Sequence, residues 1–300
     1  MKKCLLIINP KAGQKRICRE LVNVIDELNR AGYKTNVFVT SADENAAVAA
    51  KQVTDEELVV CAGGDGTLKQ VISTLIDNNK NVNVGYIPCG STNDFAATIG
   101  LSKNIKKAIK SIVDGDVIKY DVGKFNTMIN GEYIPDHFVY VASFGLFSSA
   151  SYNTPQNVKN NLGHMAYALN GLSELVDASA YRVKVNIGNE SITGDYILGM
   201  VANTLSVGGV IKLDPVDVDL SDGLFEILLI KQPNTLIEFN EILDGLMRRD
   251  FSGEMFVFKK ASSISLQFEE EATWSLDGEE SLTSNFFKID NLNQVFSLVK

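Results

Sequence analysis

Histidine, cysteine and proline are all scarce in this 300-residue chain, which holds two, four and six of them. Cys4, Cys18, Cys61 and Cys89 form no CxxC pair and have no clustered histidine partners. That spacing excludes a zinc ribbon and argues against a disulfide framework, so the thiols read as those of a reducing cytoplasm. Long apolar runs are missing too. The longest uncharged stretches, 138–158 and 196–211, are interrupted by Ser, Asn, Thr and Gly, unlike a membrane-spanning helix of ~20 apolar residues. Lys2-Lys3 and the apolar run Cys4–Ile8 are cut off by Asn9-Pro10, too early for the apolar core of a signal peptide. The expectation is a cytoplasmic protein. A broad basic excess is also absent: the net charge is −9, which disfavours nucleic acid as a partner.

What is present suits a globular chain of two domains. Hydrophobic residues make up 45%, too many for a disordered protein, and single cores tend to split near ~250–300 residues. The charge is unevenly shared: residues 1–122 carry +2 and residues 123–300 carry −11.

The hydrophobic period changes along the chain as well. Cys4–Ile8, Asn36–Val39, Leu58–Ala62 and Val84–Ile87 are short apolar runs. They alternate with helical patterns at Ile17–Leu28, Ala46–Lys51, Thr67–Ile76 and Ile105–Val113. This order predicts a parallel sheet with helices on both faces, and a ligand crevice at the carboxyl ends of its strands. Beyond residue 117 the apolar positions alternate one by one, as in Tyr181–Ile187, Phe225–Leu229 and Ile264–Glu269. That period predicts half-exposed antiparallel strands, hence a β-sandwich or curled sheet. Helices are expected within it at Leu162–Val176 and Leu236–Met247.

Chemistry concentrates where the apolar runs end. Gly63-Gly64-Asp65-Gly66-Thr67 joins a buried strand to a helix, where close-lying backbone amides and the helix N-terminus suit phosphate. Asp65 would repel phosphate unless a divalent cation lay between them. Asn9-Pro10-Lys11-Ala12-Gly13 follows the first strand, and Pro88-Cys89-Gly90-Ser91-Thr92-Asn93-Asp94-Phe95 follows the fourth. Downstream, Ser275-Leu276-Asp277-Gly278-Glu279 puts two acids on a turn that, by position alone, reads as a surface hairpin. No Walker A motif and no protein-kinase HRD motif occurs, and Gly64-x-Gly66-x-x-Lys69 fails the dinucleotide fingerprint at its last glycine.

The chain resembles the bacterial diacylglycerol-kinase-like lipid kinases, a group related to sphingoid and ceramide kinases. The matching pieces are Asn9-Pro10-x-x-Gly13, Gly63–Thr67, Pro88-x-Gly90-Ser91-x-Asn93-Asp94-Phe95-Ala96, Asp121-x-Gly123 and Asp277-Gly278-Glu279. The first glycine turn is shared with NAD kinases and 6-phosphofructokinases; the Asn93–Ala96 and Asp277–Glu279 segments make the match specific. The resemblance implies an α/β nucleotide domain of the NAD kinase/6-phosphofructokinase type, residues 1–122 plus about 287–300. A β-rich antiparallel sandwich of residues 123–286 would take the lipid, and Phe286–Val299 would return to the first domain.

It further implies that ATP contacts Asn9, Pro10, Lys11, Ala12, Gly13, Thr40, Gly64, Asp65, Gly66, Thr67, Leu68, Lys69, Gln70 and Ser91. Asp65, Asp94 and Asp121 would hold Mg²⁺ through water, and Asp277 or Glu279 would take the proton from the lipid hydroxyl. A second, structural magnesium is implied at Asp219, Asp222 and Leu224, although Ser221 departs from the family's Asp-Asp-Gly pattern there. Ala12 likewise replaces a small hydroxyl residue.

The expected activity is phosphorylation of diacylglycerol at the membrane surface by a cytoplasmic, peripherally associated enzyme; a homodimer is left open. The alternatives are an NAD kinase, a sphingoid-base or ceramide kinase, or a non-catalytic nucleotide or lipid sensor. Structural roles are expected for His137 and His164, core packing for Trp274, and a solvated face for Lys103, Lys106, Lys107 and Lys110.

Overall fold

A computed structural model describes residues 2–146, 180–207, 211–214 and 218–300. The expected helix Leu162–Val176 and His164 lie outside these. Contacts divide the chain into two compact units: Met1–Val122 with Asn293–Lys300, and Gly123–Leu292.

In the first unit the alternation expected from sequence is realised. The order is β1 (Lys2–Ile8), α1 (Arg16–Arg30), β2 (Tyr33–Val39), α2 (Ala46–Lys51) and β3 (Leu58–Gly63), then α3 (Asp65–Asp77), β4 (Asn83–Pro88), α4 (Asp94–Thr98), α5 (Ile105–Asp114) and the start of β5 (Val117–Ile129). The strands lie in the order β2-β1-β3-β4, all parallel. Strands buried on both faces cannot alternate apolar with polar, so β3 is an unbroken apolar run, buried throughout. One face packs Cys4, Leu6 and Ile8 against Ile17, Val24 and Leu28 of α1 and Ile105, Ile109 and Ile112 of α5. Helices α2 and α3 pack together and bury Ala46, Ala49, Ala50, Val71 and Ile72. Asn45 caps α2 through the amides of Ala47 and Val48, satisfying donors that the helix itself leaves open.

The second unit takes in the rest of β5. It continues with β6 (Glu132–Phe138), β7 (Val141–Gly145), β8 (Tyr181–Ile187), β9 (Glu190–Ala202), β10 (Ser206–Val207), β11 (Ile211–Lys212) and β12 (Phe225–Lys231). Then come α6 (Leu236–Arg248), β13 (Phe256–Ala261), β14 (Ser263–Ala272), β15 (Ser275–Leu276), β16 (Glu279–Glu280) and β17 (Ser284–Val299). Its ladders are antiparallel, running β16-β15-β7-β9-β8-β14-β17, with β12 beside β9 and β13 beside β12. The alternation read from Tyr181–Ile187 is the burial pattern found: Val183, Val185 and Ile187 are inside, Arg182 and Lys184 outside. The core is aromatic, built from Phe125, Phe144, Phe268, Trp274 and Phe287 with ring centroids 4.9–6.4 Å apart. Trp274 is 1% exposed and is a core residue. A capping box at Thr235 and Glu238 starts α6.

Strand β17 serves both units. Ser263–Gln267 pair antiparallel with its first half, and its end, Ser297–Val299, runs parallel beside β4. No helix among the described residues is long and apolar enough to cross a membrane.

Candidate active site

Three turns at the carboxyl ends of adjacent parallel strands build the site in the first unit. Backbone hydrogen bonds hold them in fixed positions: the Asn9 amide donates to the Ala62 carbonyl at 2.9 Å and the Cys89 amide to the Gly63 carbonyl at 2.7 Å. Their approach is close enough to demand glycine. A Cβ on Gly13, whose φ is +52°, would fall 1.8 Å from the Cys89 carbonyl oxygen, and one on Gly90 would fall 2.7 Å from the Gly64 Cα. Backbone packed this tightly leaves no room for a side chain whatever its rotamer.

Asn9 ties the first turn to the second. Its side-chain amide donates to the Thr67 hydroxyl at 3.1 Å while its carbonyl oxygen accepts from the Lys11 amide at 3.0 Å. Gly64 is the N-cap of α3 and offers no side-chain acceptor to the first turn. Backbone amides of Asp65–Thr67 therefore point from a helix N-terminus, the arrangement that receives phosphate. The Thr40 amide donates to the Ile8 carbonyl at 2.8 Å, so Thr40 follows β2 on the same edge of the sheet. Ser91 is exposed, Gln70 is half-buried and Lys69 is buried in α3. Leu68 packs into the core, so any contact it makes with a nucleotide is through its backbone.

Asp65 and Asp94 face each other across the turns. The Asp94 amide donates to Asp65 Oδ2 at 3.2 Å, and the Tyr86 hydroxyl reaches Asp65 Oδ1 at 3.5 Å. Burial, and after it the charge of Asp94, pushes the Asp65 carboxyl up to about 6. A cation between the two carboxylates would relieve that strain, so the pair suits a divalent metal. Asp121 is fully buried and accepts from the Gln294 amide at 2.7 Å and from Asn293 Nδ2 at 3.2 Å. Asp65, Asp94 and Asp121 do not converge as a set of direct ligands: among the described residues no three His, Cys, Asp or Glu side chains form a metal-binding group.

Two participants were assigned no role from the sequence: Tyr86, which it did not single out, and Asn93, which it noted only within the Asn93–Ala96 motif. Tyr86 is buried and its hydroxyl lies 3.3 Å from Asn93 Oδ1 as well as near Asp65. Asn93 adopts φ +52°, accepts from the Gly90 amide and donates to the Gly90 carbonyl, both at 2.8 Å. A lone tyrosine in an apolar buried strand was the available signal, because its hydroxyl needs a polar partner.

The Asp277–Glu279 turn belongs to the second unit and departs from the simple surface hairpin that position suggested. Residues Asp277 and Gly278 link β15 to β16 with φ values of +53° and +89°, the two-residue turn in which both positions need positive φ. Yet Asp277 is only 5% exposed. Its Oδ2 accepts from the Val139 amide at 2.6 Å, and its Oδ1 from the Tyr140 and Val141 amides, each at 3.0 Å. Three backbone donors tie this carboxylate to the segment Val139–Val141. Glu279 follows on β16, half-buried. Asp277 thus holds the turn from which Glu279 follows.

In the loop expected to bind a structural metal, one oxygen of each carboxylate is engaged by the loop itself. Asp219 Oδ1 accepts from the Ser221 amide and hydroxyl at 3.0 and 2.9 Å, and Asp222 Oδ1 accepts from the Leu224 amide at 2.8 Å. These are Asp-centred turns that the loop builds by itself. His137 is buried at the end of β6. All four cysteines are free.

Residues 3–125 match the diacylglycerol kinase catalytic domain family. A diacylglycerol kinase of Bacillus subtilis (strain 168) is 31% identical over 283 residues, spanning 93% of this chain and 90% of that protein. The chain belongs to the diacylglycerol kinase family. The diacylglycerol kinase of Staphylococcus haemolyticus is 30% identical over 295 residues, spanning 96% of this chain and 86% of its own. A crystal structure from Bacillus anthracis str. Sterne, whose diacylglycerol kinase assignment is itself provisional, superposes with a TM-score of 0.78 at 29% identity. That match covers 99% of this chain and 95% of the other. Yeast NADH kinase complexed with NADH shares the fold at a TM-score of 0.53 and 11% identity, covering 99% of this chain and 82% of its own. This diacylglycerol kinase family member is thus a kinase built on a parallel-stranded first unit and a β-rich second one.

Proposed function

We propose that the protein phosphorylates diacylglycerol with ATP to give phosphatidic acid, acting at the cytoplasmic membrane surface. The observation that carries this reading is the Gly63–Thr67 turn, with Asp65 set against Asp94 at the uncapped start of α3. Family membership supports a lipid as the acceptor. The nucleotide contacts would come from Asn9–Gly13, Thr40, Gly64–Gln70 and Ser91. Asp65 and Asp94, with Asp121 behind them, would hold magnesium through water. When bound, the metal neutralises charge on the transferring phosphoryl group.

The protein's own part is positioning and proton transfer. The tight glycine turns keep side chains away from the phosphates, and the α3 amides bind them. The lipid hydroxyl oxygen attacks the γ-phosphorus as the bond to the ADP oxygen breaks, and the hydroxyl proton passes to Glu279. A carboxylate suits that task because the alcohol becomes acidic only as the new bond forms. Asp277 acts as a positioning residue, holding the turn on which Glu279 sits.

Incubation with Mg²⁺ and γ-labelled ATP, offering diacylglycerol, ceramide, sphingosine and NAD in parallel, tests this. The expected label is in a chloroform-extractable product formed from diacylglycerol. Label in ceramide or sphingosine would move the substrate within lipids. Label in NADP would replace the reading with that of an NAD kinase, the second activity this fold carries. Label in none would favour a nucleotide or lipid sensor.

A further inference from the structure

We propose that the lysine face of α5 docks the protein onto an anionic lipid bilayer. Ser102–Ser111 carries Lys103, Lys106, Lys107 and Lys110 and no acid, in a chain whose net charge is −9. All four are exposed. At 100° per residue Lys106, Lys107 and Lys110 fall within about one third of the circumference of α5, and Lys103 lies just before its N-cap Asn104. Among the described residues, Lys106, Lys107 and Lys110 form no salt bridge. Four clustered cations are the size of patch that anionic headgroups recognise.

Two further observations favour a surface that is used rather than merely solvated. Lys106 and Lys107 occupy the first turn of α5, which has no acidic residue. Cations there oppose the helix dipole, so the helix carries this charge against its own stability. The patch also adjoins the nucleotide turns: Lys103 Nζ donates to the Thr92 carbonyl at 2.8 Å. Thr92 lies between Ser91 and Asn93, so a bilayer on this face would lie beside a turn assigned to the reaction. Toward α1, Glu20, Asp26 and Glu27 of α1 and Asp114 of α5 share a groove of about 490 Å³ with Lys106 and Lys110. The choice of a lipid surface over other polyanions rests on the lipid-kinase reading above.

The test is sedimentation of the whole protein with phosphatidylcholine vesicles, with and without phosphatidylglycerol, in the absence of nucleotide. The variant is Lys106→Gln/Lys107→Gln/Lys110→Gln; Lys103 is left intact because it holds Thr92. Each lysine near an anionic surface strengthens binding by about fivefold, so the triple variant should bind phosphatidylglycerol vesicles roughly 100-fold more weakly. Wild-type binding should fall with added salt. The variant should phosphorylate a water-dispersed, short-chain diacylglycerol as the wild type does, and lose activity on bilayer diacylglycerol. Lys51→Gln, at an exposed lysine of α2, should bind as wild type.

Equal wild-type binding to both vesicle types would overturn the proposal, as would equal binding by the triple variant. So would a matching loss in Lys51→Gln, or equally tight binding to heparin, which would mark a general polyanion site. A protein that binds vesicles selectively but labels no lipid would instead sink the kinase reading and leave the docking surface standing.

Discussion

Two aspartates, half-buried Asp65 at the start of α3 in the first unit and buried Asp277 in the β15–β16 turn of the second, are treated in opposite ways. Asp65 sits beside Asp94, its carboxyl pushed up to about 6 by burial and by that neighbour. Asp277 receives three backbone amides within 3.0 Å. The first carboxylate is placed where its charge costs the fold, the second where its charge holds the fold together. Under the proposed function, the contrast separates a site arranged for a cation and its phosphate from a turn held by the chain's own backbone. In the proposed mechanism the two acids two residues apart have different tasks, Asp277 anchoring the turn and Glu279 taking the proton.

Asp65→Asn should break the comparison most sharply. Removing one preorganised charge from a phosphoryl-transfer site is expected to lower kcat by about 10³-fold. The same change relieves repulsion with Asp94, so Tm in the metal-free protein should hold or rise. A clear fall in Tm would mean that Asp65 is structural after all. Glu279→Gln is expected to cost roughly 10²-fold in kcat with little change in stability, since it removes a proton acceptor and no packing.

Asp277→Ala should do the reverse in kind. It leaves three buried amides without their acceptor, and urea denaturation should show a loss of roughly 3 kcal/mol or more. Asp277→Asn keeps one acceptor oxygen and should lose less. Should Asp277→Asn keep full stability and abolish turnover, the roles of Asp277 and Glu279 would have to be exchanged.

The smallest effect concerns a buried acid away from both turns. Glu226 of β12 is fully buried, with Lys260 Nζ at 3.6 Å, and burial pushes its carboxyl up to about 7 despite that lysine. An acid whose pKa rises on folding binds its proton more tightly in the native state. Stability therefore declines as pH climbs from the ordinary carboxylate range toward 7, and the full cost is present above it. Asp65 adds the same slope up to about 6. Glu226→Gln should then raise Tm at pH 8 and change it little at pH 5, as read by thermal scans at the two pH values. An equal change at both would show that Glu226 contributes through packing and not through charge.

Most of the fold was legible because its patterns are local. Ala46–Lys51 and Tyr181–Ile187 have the same bounds in sequence and structure, since a change of period from helix to strand is written in consecutive residues. The Gly63–Thr67 and Gly90–Asp94 turns were equally plain, because glycine beside hydroxyl and acid is a composition few other structures need. What stayed hidden depends on partners far along the chain. Nothing near Asp277 announces that its acceptors' donors lie at Val139–Val141, some 136–138 residues earlier. Nothing near Tyr86 announces that its hydroxyl serves Asp65 and Asn93.

The sequence by itself determined the alternation of strand and helix, the switch to period two, the order of the motifs and the family they mark. These follow from side-chain periodicity and backbone conformational limits, which act over a few residues. Only the tertiary structure decided which acid is satisfied and which is strained. A carboxylate's state depends on the donors and charges that folding brings within about 3–4 Å of it, and that distance is set by packing. It placed Asp65 against Asp94, closed Gly13 onto Cys89, and turned Asp277 inward to hold the hairpin that carries Glu279.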